Sequence, residues 1–255
     1  MDFSRVFELI RSKRHFFTQR SDFKVEEKSR ANYVTSIDQT IQQEIRTGLE
    51  QLFPSIDFVG EEASKHTTSK LFWLLDPIDG TQNFIKGQYP SMISLALVER
   101  GQVVFALIYD PYFDQMYHAL LGKGAYQEDQ RLSVSTTKVE NAIVMVGTSP
   151  YSRHLSLNTF NLAKNIFEKA NDIRRSGSAC YDLVQVATGQ ADGYVELFVH
   201  SWDYAAGLLL INEAGGQVSD NKGNSISNIR VGTTSIVASN KIIHQDLIVL
   251  SKEAI

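Results

Sequence analysis

From Ser91 onward, "SMISLALVERGQVVFALIYDP" and "QMYHALLGKGAY" read as consecutive strands, separated only by Gly- and Pro-containing turns. "KLFWLLDPIDG" ahead of them is a hydrophobic strand ending at Asp76, and "IDFVGEEAS" is a short strand running into a loop at Gly60-Glu61-Glu62. This run commits the first half to an antiparallel sheet. Two helices precede it. Val6, Phe7, Leu9, Ile10, Phe16 and Phe17 fall at amphipathic spacing, and "NYVTSIDQTIQQEIRTGLEQLFP" carries Ile41, Ile45, Leu49 and Leu52 as one stripe, closed by Pro54.

The second half alternates. "NAIVMVGTS" is a buried strand, a helix follows around Thr159–Ala170, "YDLVQVATGQ" is helical and "ADGYVELFV" is a strand. "WDYAAGLLLINEAGG" is a helix stopped by paired glycines, "SIVASN" a strand, and a last helix begins near Lys241. Alternation of this kind indicates layered α/β packing. No repeat, low-complexity tract or long linker divides the 255 residues. The expectation is one domain over 1–255, with subdomains of approximately 1–138 and 139–255 and a cleft between them.

Composition narrows the function. A net charge of -4 gives no broad footprint for nucleic acid or an anionic membrane. An anionic substrate would therefore need a local site. The single cysteine, Cys180, excludes an intrachain disulfide and reads as a packed thiol. The start lacks an apolar segment of signal-peptide length, and no stretch approaches the roughly 20 apolar residues of a membrane span. A cytoplasmic protein with no membrane and no nucleic-acid partner is expected.

The chemistry concentrates in "DPIDGT". Asp76 projects from a strand end, Pro77 fixes the turn, and Asp79 swings back to the same side with the Ile78 carbonyl between. Two carboxylates and a carbonyl are hard oxygen ligands suited to Mg²⁺. Gly80 and Thr81 begin a helical turn whose N–H groups suit a phosphate oxygen. An ordinary Asp-Pro/Asp-Gly turn explains the stretch equally well. A helix–loop–helix calcium site does not, because Ile78 and Gly87 stand where it needs oxygen ligands. Glu61 and Glu62 form either a ligand with a solvent-facing neighbour or a solvated turn. Asp203 enters an apolar helix, where N-capping alone would account for it. Phosphate-loop, nucleophile-elbow and zinc-protease motifs are absent, and the six His residues are scattered.

"GEEAS" (60–64), "DPIDGTQNF" (76–84) and "WDYAAGLLLINEAGG" (202–216), in that order, resemble the inositol monophosphatase family. "VTSIDQ", "GKGAY" and "RRSGSACYDLVQVATGQADGYVE" extend the resemblance over nearly the whole chain. It implies an αβαβα sandwich of the inositol monophosphatase and fructose-1,6-bisphosphatase type, usually homodimeric. It implies a lithium-sensitive phosphomonoesterase using two or three Mg²⁺ ions on a small phosphorylated substrate. Glu61, Asp76, the Ile78 carbonyl, Asp79 and Asp203 take the ligand positions. Thr81, Glu61 and Asp38 take the water-activating ones. Gly80 and Thr81 face the phosphate, and Gly177, Ser178, Ala179 and Glu196 face the alcohol portion. Gln82 departs from the second Thr found in many members, and "IKGQYPSM" from the common His-Gly-Phe-Pro wording. Hydrolysis of NADP(H) or fructose 1,6-bisphosphate, or a non-catalytic metal-binding role, stays open.

Overall fold

In the computed structural model, which describes residues 3–19, 22–62 and 67–254, the long apolar runs become strands covered on both faces. The first helical segment divides into α1 (Ser4–Arg11) and α2 (His15–Thr18), followed by a hairpin of β1 (Val25–Ser29) and β2 (Asn32–Thr35). Then come α3 (Ser36–Leu52), β3 (Asp57–Gly60), β4 (Leu71–Asp79) and α4 (Thr81–Lys86). Strands β5 (Met92–Glu99), β6 (Gln102–Asp110), β7 (Gln115–Leu120), β8 (Gly124–Gln127) and β9 (Gln130–Arg131) complete the first sheet. The rest comprises β10 (Ile143–Val146), α5 (Ser156–Phe167), β11 (Asp172–Arg174), α6 (Ala179–Ala187) and β12 (Gly193–His200). It ends with α7 (Ser201–Glu213), β13 (Gln217–Ser219), β14 (Thr233–Ser239) and α8 (His244–Glu253).

The first sheet has seven strands in sequence order from β3 to β9, all antiparallel except the β3–β4 pair. The second has five, ordered β11-β10-β12-β14-β13, with β10 parallel to both neighbours and the β12–β14 and β13–β14 pairs antiparallel. Strand periodicity sorts their side chains into layers. On β4, Trp73 and Leu75 meet the Ile41, Ile45 and Leu49 stripe of α3, while Phe72 and Leu74 face the interior with α6 and α7. On β12 and β14, Tyr194, Ile236 and Ala238 face that same interior, and Val195 and Val237 pack outward against α5 and α8. The order is helices, sheet, helices, sheet, helices: the layered α/β architecture. Two-sided burial is why the strands read as unbroken apolar runs.

Helix α7 lies between the sheets and is apolar on all sides, with Tyr204 to Ile211 all buried. Its Gly207 lets α6 approach closely, since a Cβ there would lie 2.6 Å from the Leu183 Cβ. Among the described residues no helix is long and apolar enough to cross a membrane.

Several sequence expectations need correcting. β4 does not stop at Asp76 but continues to Asp79 through a bulge. The sequence NYVT is a strand, so the helix begins at Ser36, and the β1–β2 hairpin had no apolar pattern to announce it because β1 is exposed throughout. The last helix starts at His244, after a turn. Ala63 and Ser64 of "GEEAS" lie outside the described residues.

The "GKGAY" and "EAGG" segments meet. Glu213, at the end of α7, accepts from the Gly122 and Gly124 N–H groups, both at 2.7 Å, and so ties the β7–β8 turn to the central helix. Glu213→Ala should lower stability by about 1–2 kcal/mol in urea denaturation, the cost of two unpaired amides partly reached by water.

Candidate active site

The β4 bulge creates the centre of the site. Pairing with β5 is regular up to Asp76↔Ser94 and then resumes at Asp79↔Met92, so β4 carries one extra residue. Pro77, which has no N–H to offer the ladder, fits within it. The extra residue flips the strand's alternation. Asp76 and Asp79, which a regular strand would direct to opposite faces, therefore both face the interior, while Ile78 packs outward. Asp76 Oδ1 accepts from the Ile78 N–H at 2.9 Å, and the Ile78 carbonyl accepts from Thr81 Oγ1 at 2.9 Å. Gly80 closes the turn with φ 85, and a Cβ there would come within 2.9 Å of the Pro90 carbonyl.

The other acidic residues arrive from three elements. Asp203 is the third residue of α7 and not its N-cap; its Oδ2 accepts from the His200 N–H at 3.2 Å. Oxygens of Asp76, Asp79 and Asp203 lie within 4.8 Å of one another. Asp38 is likewise the third residue of its helix, accepting from the Thr35 N–H at 2.8 Å, while its other oxygen receives Thr81 Oγ1 at 3.4 Å. Glu61 extends the β3–β4 ladder through its N–H to the Leu75 carbonyl at 3.0 Å. Glu62 does not face solvent: it is buried, its N–H donates to Gln42 Oε1 at 2.9 Å, and the Lys28 ammonium lies 2.5 Å from Glu62 and 3.3 Å from Glu61.

Crowded, desolvated carboxylates resist ionisation. Burial, then Glu61, Asp79 and Asp203, hold Asp76 well above the usual carboxylate range. Burial, then Asp79 and Glu61, do the same to Asp203. Burial raises Asp79 too, opposed by the Ser178 hydroxyl and the Cys180 N–H that donate to it. Burial pushes Glu61 up to about 7 against the pull of Lys28, and Asp38 up to about 6 against Thr35.

This donor set fits a hard divalent cation. The ligand atoms are all oxygen, their mutual repulsion calls for positive charge, and an ammonium already stands against Glu61.

A cleft of about 350 Å³ opens over Glu61, Asp76, Asp79, Thr81 and Asp203, with Asp38 buried behind them, and is lined also by Gly177, Ser178, Ala179 and Glu196. Ser178 caps α6, accepting from the Tyr181 N–H at 3.2 Å while donating to Asp79. Glu196 is an anchored acceptor and not an exposed strand residue: its Oε1 receives the Ser149 N–H and hydroxyl, each at 2.8 Å, and its Oε2 the Tyr194 hydroxyl. Gly147 makes room for it, since a Cβ there would overlap the carboxylate. Cys180 is packed, its thiol 3.1 Å from the Asp203 carbonyl. Lys28, Tyr151 and Arg175 also line the cleft. Lys28 and Tyr151 stand outside the motifs, and nothing in their sequence neighbourhood marks them; Arg175 lies inside the 174–196 segment, but the resemblance gives it no role. Trp202, stacked on His200 at 4.7 Å, was signalled only by adjacency to Asp203.

Because acids raised on folding bind protons more tightly in the folded state, the cation-free chain should gain stability from this cluster as pH falls from about 7 towards about 4. Buried His244, pushed down to about 4, works in the opposite sense. Comparing wild type with Asp203→Asn cancels that term. The variant should melt higher than wild type without divalent ions near neutral pH, with the gap closing in acid. Added Mg²⁺ should raise the wild-type melting temperature near neutrality and the variant's far less.

The family model described as the inositol monophosphatase family matches residues 3–255. An inositol-1-monophosphatase from Rhizobium meliloti is 37% identical over 86% of this chain and 83% of its own. A Nus factor SuhB from Xylella fastidiosa is 37% identical over 77% of this chain and 72% of its own. The solved structure of an IMPase from Thermotoga maritima superposes with a TM-score of 0.89 at 29% identity, covering 98% of this chain and 96% of that one.

Proposed function

The chain belongs to the inositol monophosphatase family, and from that footing we propose that it hydrolyses a small phosphate monoester, inositol monophosphate or a related sugar phosphate, with Mg²⁺ as cofactor. The observation that carries this reading is the gathering of Asp76, Asp79 and Asp203 beside a Thr81 hydroxyl that donates to the Ile78 carbonyl and lies 3.4 Å from Asp38.

Glu61, Asp76, the Ile78 carbonyl, Asp79 and Asp203 would hold two or three Mg²⁺ ions. Bound there, the cations would supply positive charge for the phosphate, a lowered pKa for the attacking water and stabilisation of the departing alkoxide. Thr81 Oγ1, tethered to the Ile78 carbonyl and Asp38, orients the water together with Glu61. Asp38 fixes Thr81 and is itself fixed by Thr35. The N–H groups of Gly80 and Thr81 face the phosphate. Gly177, Ser178, Ala179 and Glu196 bound the space for the alcohol. The oxygen of water bonds to phosphorus as the ester P–O bond breaks in line, one water proton reaching the departing oxygen by way of solvent, so that inorganic phosphate and the free alcohol are the products and no phosphoenzyme is needed. A homodimer and inhibition by lithium complete the reading.

A second reading takes its lead from the relative named Nus factor SuhB: this chain would be a non-catalytic protein that binds a metal or a partner. The full set of acidic residues with Thr81 favours the enzyme.

Purified protein should hydrolyse inositol 1-phosphate only with Mg²⁺, and Asp79→Asn or Thr81→Ala should reduce kcat by about 10²-fold or more. Running NADP(H) and fructose 1,6-bisphosphate alongside ranks the substrates. Silence across a broad phosphomonoester panel would decide for the partner-binding reading. Full Mg²⁺-dependent activity in Asp79→Asn would overturn the ligand assignment.

A further inference from the structure

Gln82 is the residue of the 76–84 loop that the hydrolytic reading leaves without a task. It is exposed on the first turn of α4, yet its side chain reaches across the cleft mouth: Nε2 donates to the Ala31 carbonyl at 2.8 Å. Ala31 occupies the tip of the β1–β2 hairpin with φ 63, and its N–H is in turn held by Glu27 Oε1 at 3.3 Å.

The hairpin belongs to neither main sheet, and β1 is solvent-exposed along its length. A two-stranded ribbon is marginal by itself, and this one is held by the buried Val34 and Thr35 of β2 and by contacts at its ends. Its base is fastened where the Ser36 N–H donates to the Lys24 carbonyl at 3.0 Å and the Lys24 N–H to Ser36 Oγ at 3.2 Å. Two contacts hold the far end. Lys28 reaches the Glu61–Glu62 pair, and Gln82 reaches Ala31. Between them Asn32 and Tyr33 line the cleft. A Thr at position 82 lacks both the reach and the amide donor for this contact, so the departure noted in the sequence has a physical consequence.

We propose that Gln82 is a positioning residue that latches the β1–β2 hairpin over the cleft mouth, making Asn32 and Tyr33 a fixed wall against the leaving group and favouring compact esters over bulky ones. The kinetic side of this inference rests on the phosphatase reading; the latch itself does not.

The test uses Gln82→Ala and Gln82→Glu, the second matching the length of Gln but lacking an N–H to donate. Residue 82 is exposed, and melting curves check that both variants fold. An exposed hydrogen bond of ordinary strength shifts an opening equilibrium by about fivefold. Hydrogen exchange at residues 27–33, the far end of the hairpin, should therefore quicken by about fivefold in both variants, with Thr35, α3 and β4 unchanged. KM for inositol 1-phosphate should rise by a similar factor with kcat unaltered, and the ratio of activity on a dinucleotide 2′-phosphate to activity on inositol 1-phosphate should rise. Hairpin exchange identical to wild type in both variants overturns the latch. Faster exchange with unmoved KM and unmoved selectivity overturns the wall. Wild-type protein inactive on every ester would sink the phosphatase reading and the selectivity claim with it, while exchange still judges the latch.

Discussion

Carboxylates that repel one another are packed here into the seam between two sheets, and much of the surrounding structure exists to hold them there. Ser178 and the N-terminus of α6 steady Asp79, the start of α7 steadies Asp203, and Thr35 steadies Asp38. Each uses backbone or hydroxyl donors, which favour the anion without neutralising it. Net charge is left for something else to supply. The fold thus keeps an energetic deficit at its centre, the form that local strain commonly takes at a functional site.

The layered architecture was legible because burial on both faces leaves an unmistakable record. Runs such as "LFWLL" and "SLALV" have no polar side, and α7 has none either. The acidic centre was legible for the opposite reason: carboxylates at the ends of such runs have little to do in a packed interior. Sequence could not show how Asp76 and Asp79 come to the same face. A three-residue spacing on a regular strand would separate them, and the reconciling bulge depends on pairing with β5. The hairpin was hidden because β1 is exposed along its length and so leaves no apolar alternation, and what positions it comes from distant elements. Cleft-lining residues such as Lys28 and Tyr151 belong to the same class, brought to the cleft by the fold and outside every motif.

Glu62 and Glu196 show how a correct residue can be read with the wrong surroundings. Adjacent glutamates after a glycine look like a solvated turn, yet Gln42 and Lys28 draw Glu62 inward. Glu196 shares the inner face of β12 with Tyr194, whose hydroxyl it accepts, so it faces the cleft and not solvent. The bend of the 147–149 segment covers it, and the missing side chain of Gly147 allows that approach.

The position of α7 has a consequence for how the chain acquires its structure. This helix comes from the second half, yet it buries the inner face of a sheet built wholly by the first. Until it docks, Phe72, Leu74, Ala96, Val98 and Ile108 form a bare apolar surface, and the last strands of the second sheet have nothing to close against. The inner face of the first sheet is thus closed by contacts of long sequence separation, the kind whose loop-closure cost must be met before burial repays it.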